Sequence, residues 1–150
     1  MANANCELPN YNPPSAEIVD ILHNFKKIAI VGISPKESRD SNKVARYLME
    51  QGYEIAPVNP GQSEILGKTC FKTLKNIPFR IDVADLFLNP TRVPAVVEQA
   101  IHIGVRAIWM QEGVVHNDSA SKARKAGIQV IMNMCIMKAI KAMKAGELTG

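Results

Sequence analysis

One stretch near the amino end decides the fold of this chain: Lys27-Ile28-Ala29-Ile30-Val31-Gly32-Ile33-Ser34-Pro35. A short run rich in isoleucine and valine that meets a glycine is typical of a buried strand ending in a tight turn. A glycine there lets the backbone approach a ligand, and the helix that follows offers unpaired N–H groups to an anion. The stretch therefore predicts the opening strand and turn of a nucleotide-binding α/β domain.

The same alternation of short apolar runs and amphipathic helices continues to the end of the chain. Strands are predicted over residues 27–33, 53–58, 82–88, 105–110 and 128–132. Gly52, Gly104 and Gly127 each stand after a predicted helix and before a strand, where a residue with positive φ ends a helix at low cost. The pattern predicts an α/β fold with a Rossmann-like, doubly wound parallel five-stranded sheet in three αβα layers.

The length of 150 residues suits one domain. Residues 1–14 are rich in Asn and Pro and are predicted to be a flexible N-terminal arm, and residues 15–150 to be the single domain. Ser15 is the expected N-cap of the first helix. A last helix is predicted over residues 135–145.

Charge and cysteine content exclude several classes of function. The 18 basic residues exceed the 14 acidic ones only modestly, and they form no block interleaved with aromatic side chains, so no nucleic-acid partner is expected. No apolar run approaches the roughly 20 residues that span a bilayer, so no membrane association is expected. Three widely spaced cysteines, Cys6, Cys70 and Cys135, suggest neither disulfides nor a zinc site and favour a cytoplasmic location.

The end of the second predicted strand narrows the ligand class. NAD sites usually place an Asp or Glu after this strand to bind the ribose hydroxyls, whereas here the strand ends in Val58-Asn59-Pro60. Basic residues Lys36, Arg39 and Lys43 stand in and after the predicted glycine turn. The combination favours a ligand with more phosphate than NAD.

At these positions the chain resembles the small stand-alone CoA-binding proteins, whose fold is that of the N-terminal domain of the succinyl-CoA synthetase alpha subunit. The resemblance runs from about residue 15 to residue 138. The motifs that carry it are Ile30-Val31-Gly32-Ile33-Ser34-Pro35, Arg39-Asp40-Ser41-Asn42-Lys43-Val44-Ala45, Pro57-Val58-Asn59-Pro60, Gly67-Lys68, Asn89-Pro90, Val93-Pro94 and Trp109-Met110-Gln111-Glu112-Gly113-Val114.

The resemblance implies a binding site for CoA or an acyl-CoA along the predicted carboxyl edge of the sheet. Residues Gly32, Ile33, Ser34, Pro35, Arg39, Ser41, Asn42 and Lys43 would surround the phosphates, with Ser34, Arg39, Ser41 and Asn42 in contact with them. Val58, Asn59 and Pro60 would shape the adenosine pocket, and Leu88, Pro90, Arg92 and Val93 would flank the ligand. Gln111, Glu112 and Gly113 would lie near the pantetheine arm.

No catalytic or metal-binding constellation stands out in the sequence, because no nucleophile has a supported base beside it. The synthetase's phosphorylated histidine belongs to a second domain, so the resemblance does not carry ligase activity over. The sequence therefore predicts a CoA-binding module without its own catalytic apparatus and specifies no protein partner. Two alternatives stay open at this stage: an NAD(P)-dependent oxidoreductase or epimerase on the same fold, and an interaction domain without a ligand.

Overall fold

A parallel five-stranded sheet forms the centre of the computed structural model, which describes residues 7–148. In chain order the strands are β1 (Lys27–Val31), β2 (Glu54–Val58), β3 (Glu64–Ile65), β4 (Lys68–Thr69), β5 (Val83–Leu86), β6 (Ala107–Met110) and β7 (Gln129–Ile131). The helices are α1 (Ser15–Asn24), α2 (Asp40–Glu50), α3 (Val93–Ile103), α4 (Asn117–Lys125) and α5 (Ile136–Lys144). Single 3-10 turns cover Leu74–Asn76 and Pro90–Arg92.

The order of strands across the sheet is β2-β1-β5-β6-β7, and every neighbouring pair is parallel. The winding reverses between β1 and β5, and in open α/β sheets ligands bind beyond the carboxyl ends of the strands at such a point. The predicted fold class is confirmed. The strands are shorter than predicted, because the backbone leaves the sheet at Gly32 and, on β5, after Leu86.

Successive residues of each strand point to opposite faces and build two cores. One face packs on α3 and α4 through residues such as Val31, Leu86 and Met110. The other packs on α1, α2 and α5 through residues such as Ile30 and Trp109. The sheet is therefore covered on both sides, as its nearly continuous apolar strands require.

A small hairpin that the sequence pattern does not predict follows β2. Strands β3 and β4 pair antiparallel across Leu66 and Gly67, which have φ values of 56° and 73°. Two positive φ angles in a two-residue loop are typical of a type I′ turn. The hairpin leads back to Phe71, whose backbone bridges to Val58 at the end of β2.

Helix ends agree with the predicted glycines and differ from prediction at the cap of α1. Gly52, Gly104 and Gly127 have the expected positive φ, at 90°, 74° and 86°. Ser15, expected to be an N-cap, is instead the first residue of α1, after Pro14. At α4 the cap is His116, whose Nδ1 accepts a hydrogen bond from the Ser119 N–H at 3.2 Å.

The described part of the predicted arm lies along the β7 edge of the sheet. Asn12 exchanges two hydrogen bonds with the backbone of Met132, at 2.7 and 2.9 Å. Asn10 donates its N–H to Asn117 Oδ1, and Arg124 stacks over the Tyr11 ring. Residues 7–14 thus contact the domain, residues 1–6 lie outside the described part, and the division at residue 14 stays a prediction.

Within residues 7–148, no helix combines the length and the apolar character needed to cross a bilayer. Cys70 and Cys135 are buried free thiols, while Cys6 falls outside the described residues.

Replacement of Gly32 by Ala is expected to lower the free energy of unfolding by roughly 2–5 kcal/mol, through left-handed backbone strain plus overpacking. Gly32 has φ +88°, and a Cβ there would lie 2.2 Å from the carbonyl oxygen of Phe87. Gly52→Ala is a matched control, because its φ is +90° with nothing within 4 Å of the added carbon. Its expected cost is the strain alone, about 1–2 kcal/mol. Urea unfolding measures both, and equal losses would contradict the packing argument.

Candidate functional site

Three adjoining clefts lie along the carboxyl edge of the sheet, at the point where the winding reverses. We name them the β2 cleft, about 480 Å³, beside the ends of β1, β2 and β5; the loop cleft, about 260 Å³, above the turn after β1; and the α5 cleft, about 230 Å³, between α2 and the start of α5. Phe87 lines all three, Gly32 lines the first two, and Asp40 lines the last two. Together they form one groove centred on Phe87.

The turn after β1 is held in shape by side chains of α2. The Ser34 N–H donates to Ser41 Oγ at 2.9 Å, and Asn42 Nδ2 donates to the Ser34 carbonyl oxygen at 2.9 Å. Arg46 Nε donates to Asn42 Oδ1 at 2.9 Å. Ser41 and Asn42 are 6% and 1% exposed, so their polar atoms serve the loop. This arrangement fixes the floor of the loop cleft.

Asn59 joins the turns that follow β1 and β2. Its Nδ2 donates to the carbonyl oxygen of Ile33 at 2.8 Å, and its Oδ1 accepts from the Gly61 N–H at 2.8 Å. The residue that stands where an NAD site would carry an acid therefore braces two loops through its amide. Val58, Asn59 and Pro60 form one wall of the β2 cleft.

Phe87 reaches its central position because Gly32 lets two backbones meet. The Phe87 N–H donates to the Val31 carbonyl oxygen at 2.9 Å, and the Gly32 N–H donates to the Val58 carbonyl oxygen at 2.9 Å. Any side chain at Gly32 would strike Phe87. The glycine is thus required by the contact between the β1 and β5 ends, whatever occupies the groove.

A buried carboxyl group lies behind the α5 cleft. Asp85 is fully buried in β5, between Ile30 and Trp109 in the sheet register. Gln111 Nε2 donates to Asp85 Oδ1, while Asp85 Oδ2 has no partner among the described residues. Burial raises the pKa of the Asp85 carboxyl to about 8, and the hydrogen bond from Gln111 offsets only part of that effect. The carboxyl is therefore mostly protonated at neutral pH.

The loops after β6 and β7 are tied to each other at the mouth of the α5 cleft. Trp109 Nε1 donates to the Met134 carbonyl oxygen at 2.8 Å. The Gly113 N–H donates to Asn133 Oδ1 at 2.8 Å, and Asn133 holds a left-handed φ of 59°. These bonds place Cys135, the residue before α5, on the wall of the cleft beside Gln111.

Positive charge predominates around the groove. Its basic lining residues are Arg39, Lys43, Lys72, Arg92 and Lys138, and its acidic ones are Asp40 and Glu112. Glu112 is already paired with Lys138 at 3.0 Å, and its hydrogen bond and charge raise the pKa of that ammonium. The unpaired excess is therefore cationic and suits an anionic ligand.

Most of the predicted site residues meet in this groove. Those on its lining are Gly32, Ser34, Arg39, Ser41, Lys43, Val58, Asn59, Pro60, Leu88, Arg92, Gln111 and Glu112. Those off the lining are Ile33, Pro35, Asn42, Pro90, Val93 and Gly113. Ile33 and Val93 are each 0% exposed and belong to the two cores. The assignment of all these residues to a ligand stays a prediction.

Three residues that line the groove are not among those predicted from the sequence: Phe87 at its centre, and Lys72 and Cys135 on its walls. The sequence pattern places Phe87 inside the strand predicted over residues 82–88, and its position after β5 at the winding reversal is the signal that marks it. Lys72 lines the β2 cleft because the β3-β4 hairpin returns the chain to β2, a path that short strands did not reveal. Cys135, the first residue of the last predicted helix, is buried and lies on the cleft wall.

Comparison with known proteins gives a family match over most of the chain. The model of a family described as a CoA binding domain matches residues 26–141. This range contains the whole sheet and all three clefts.

The chain is similar in sequence to relatives of about its own length and to part of longer proteins. YneT of Bacillus subtilis (strain 168), a protein described as uncharacterized, is 37% identical over 125 residues, which are 83% of this chain and 93% of YneT. A solved hypothetical protein from Pyrococcus horikoshii OT3 has a TM-score of 0.87 and 38% identity, covering 96% of this chain and 99% of that one. The alpha subunit of ADP-forming acetate–CoA ligase I from Pyrococcus furiosus is 30% identical over 75% of this chain, but only 28% of the subunit is matched.

Asp85→Asn is expected to flatten the pH dependence of stability. Because the pKa of Asp85 is raised to about 8 in the folded chain, the folded state holds a proton that the unfolded state has released above about pH 4. This stabilising contribution is fully present below that pH and is lost as pH rises through about 8, with a slope approaching 1.4 kcal/mol per pH unit for this group. Urea unfolding between pH 5 and about 8.5 measures it.

The Asp85→Asn variant keeps a side-chain oxygen that can accept the hydrogen bond from Gln111. Its free energy of unfolding should rise relative to that of the parent as pH rises. Asp20→Asn, at an exposed position of α1, is the matched control and should keep the parental slope. A parental slope in Asp85→Asn would contradict the assignment of the proton to Asp85.

Proposed function

The chain belongs to the CoA binding domain family, and on this premise we propose that it binds coenzyme A or an acyl-CoA in the groove around Phe87. The observation that carries the proposal is the set of three adjoining, cation-lined clefts at the winding reversal of the sheet. Their number and order match the three parts of CoA: adenosine, diphosphate and pantetheine.

The adenosine with its ribose phosphate would occupy the β2 cleft. Leu88 and Val58 supply apolar surface there, while Lys72 and Arg92 supply positive charge. Asn59 offers no carboxylate to a ribose diol, and its amide is engaged with the two loops. A ribose that carries a phosphate suits this cleft better than the unphosphorylated ribose of NAD.

The diphosphate would lie in the loop cleft, over the start of α2. The first N–H groups of a helix have no partner within the helix, and the helix dipole favours negative charge there. Arg39 immediately precedes α2 and lines this cleft, and its guanidinium provides several donors for phosphate oxygens. Arg39 is thus the proposed principal phosphate contact.

The pantetheine arm would enter the α5 cleft, where Val44, Phe87 and Met137 supply apolar surface. The domain would act as a CoA-binding module without catalysing a reaction, in a cytoplasmic setting, and could hold CoA or present an acyl-CoA to another protein. In the related P. furiosus ligase subunit the matched part is 28% of the chain.

CoA is expected to raise the thermal unfolding temperature more than dephospho-CoA, NAD or NADP at equal concentration. A ligand at about 100 times its Kd adds roughly 2.7 kcal/mol, or roughly 5–10 °C for a domain of this size. The difference between the rise in unfolding temperature with CoA and the rise with dephospho-CoA would report the contribution of the ribose phosphate. Stabilisation by NADP alone would overturn the proposal in favour of a dinucleotide reductase, and no stabilisation by any of the four would favour an interaction domain.

Arg39→Ala is expected to weaken CoA binding roughly tenfold, the loss of a charge-assisted phosphate contact in an exposed position. Arg106→Ala is the matched control, because Arg106 is exposed at the amino end of β6, on the opposite edge of the sheet. Titration calorimetry compares the two with the parent. Equal affinities for all three proteins would remove Arg39 from the site.

A further inference from the structure

One thiol stands on the wall of the α5 cleft in a fixed position. Cys135 is 8% exposed and lines the cleft with Gln111 and Met137. The residue before it is bonded to β6 twice: the Met134 N–H donates to the Met110 carbonyl oxygen at 3.2 Å, and the Met134 carbonyl oxygen accepts from Trp109 Nε1 at 2.8 Å. The thiol is therefore held at the end of the groove rather than carried on a free loop.

A second feature of the same cleft points to a ligand that carries a hydrogen-bond donor. Gln111 is 4% exposed, and its Nε2 is committed to Asp85. No donor among residues 7–148 bonds its Oε1, and this oxygen belongs to a residue on the cleft lining. Among residues 7–148, the only buried side-chain oxygen without a partner is Asp85 Oδ2, so Gln111 Oε1 is accessible from outside. An accessible acceptor on a cleft lining, without a protein partner, suits a ligand group with an N–H or S–H, and pantetheine carries both.

The charges around the cleft suit chemistry at sulfur. Lys43 from α2 and Lys138 from α5 bring ammonium groups to its lining, while Asp40 and Glu112 bring carboxylates. Glu112 is paired with Lys138, whereas none of the salt bridges within residues 7–148 involves Lys43. Positive charge close to a disulfide stabilises the thiolate that departs in an exchange.

We propose that Cys135 is a modification site for CoA itself, which it captures as a mixed disulfide by exchange with CoA disulfide. This inference rests on the proposed function, because the groove must first bind the nucleotide end of the reagent. The Cys135 thiol gives its proton to solvent, and its sulfur attacks one sulfur of CoA disulfide. The Cys135–CoA disulfide forms, the S–S bond of the reagent breaks, and the second CoA leaves as a thiolate that takes up a proton.

The other described cysteine serves as an internal control. Cys70 is 7% exposed, its Sγ approaches the Asn59 carbonyl oxygen at 3.5 Å, and it lines none of the three clefts. Burial raises the pKa of the Cys70 thiol, which keeps it in the less reactive protonated form. Cys135 and Cys70 are almost equally exposed, at 8% and 7%, so accessibility alone does not explain a difference in their reaction with CoA disulfide.

The experiment compares two disulfides that share the reacting arm. The reduced protein is mixed with CoA disulfide or with pantethine, the disulfide of pantetheine, which lacks the nucleotide. Mass spectrometry with peptide mapping assigns adducts among Cys6, Cys70 and Cys135. Adduct formation at Cys135 should be at least about tenfold faster with CoA disulfide, since binding makes the exchange effectively intramolecular. Dithiothreitol should release the bound CoA from Cys135. The Cys70→Ser variant should still form the Cys135 adduct, and the Arg39→Ala variant should form it more slowly.

The outcomes separate this inference from the proposed function. If CoA raises the unfolding temperature of the reduced protein but Cys135 stays unmodified, the inference is wrong and the binding function stands. If Cys135 reacts equally fast with pantethine, the thiol is accessible without guidance from the nucleotide, and the inference is also wrong. If CoA gives no stabilisation, the proposed function fails and takes the inference with it.

Discussion

The close approach of Gly32 to the backbone of Phe87 is the contact on which the rest of the groove depends. At this point β1 leaves the sheet with φ +88°, and the carbonyl oxygen of Phe87 occupies the space that a Cβ would need. Because β1 and β5 are neighbours at the reversal of winding, the contact places Phe87 in the middle of the carboxyl edge. All three clefts then share one residue, which makes them parts of a single groove.

Side-chain amides hold the loops around this contact. Asn42 bonds the turn after β1, Asn59 joins that turn to the one after β2, and Asn133 accepts from the turn after β6. Gln111 is bonded to the buried Asp85 instead. Each amide satisfies backbone or buried groups that would otherwise lose their hydrogen bonds away from water. Among the charged side chains on the groove lining, the cationic ones are in excess, which suits a phosphorylated ligand.

The fold followed from local sequence because its signals are local. Strand-to-turn junctions, β-branched runs and the glycines after helices each act over a few residues, and Gly104 shows the predicted left-handed end of α3. The position of the groove also followed, from the rule that ligands bind where the winding reverses. The contacts that individual side chains make in the structure could not be predicted in this way. Asn42 and Ile33 stand in the motif that resembles a phosphate loop, yet one holds the turn and the other is core.

The missed features depend on contacts between residues distant in sequence. Lys72 reaches the β2 cleft only through the β3-β4 hairpin, whose strands are too short to give an alternating pattern. Asp85 looks like an ordinary acid in a strand until its burial between Ile30 and Trp109 is known. Cys135 gains access to the cleft because Trp109 anchors the residue before it. The spacing of these residues along the sequence does not indicate such contacts.

The most direct test of the central claim is a map of backbone amide NMR shifts during titration with CoA. If CoA binds in the groove, the largest changes should fall at the carboxyl edge, in residues 32–42, 59–61, 87–92, 111–113 and 133–138. Residues 51–53, 104–106 and 126–128, at the opposite edge, should be unaffected. Changes that cluster at the amino edge, or no changes at saturating CoA, would contradict it.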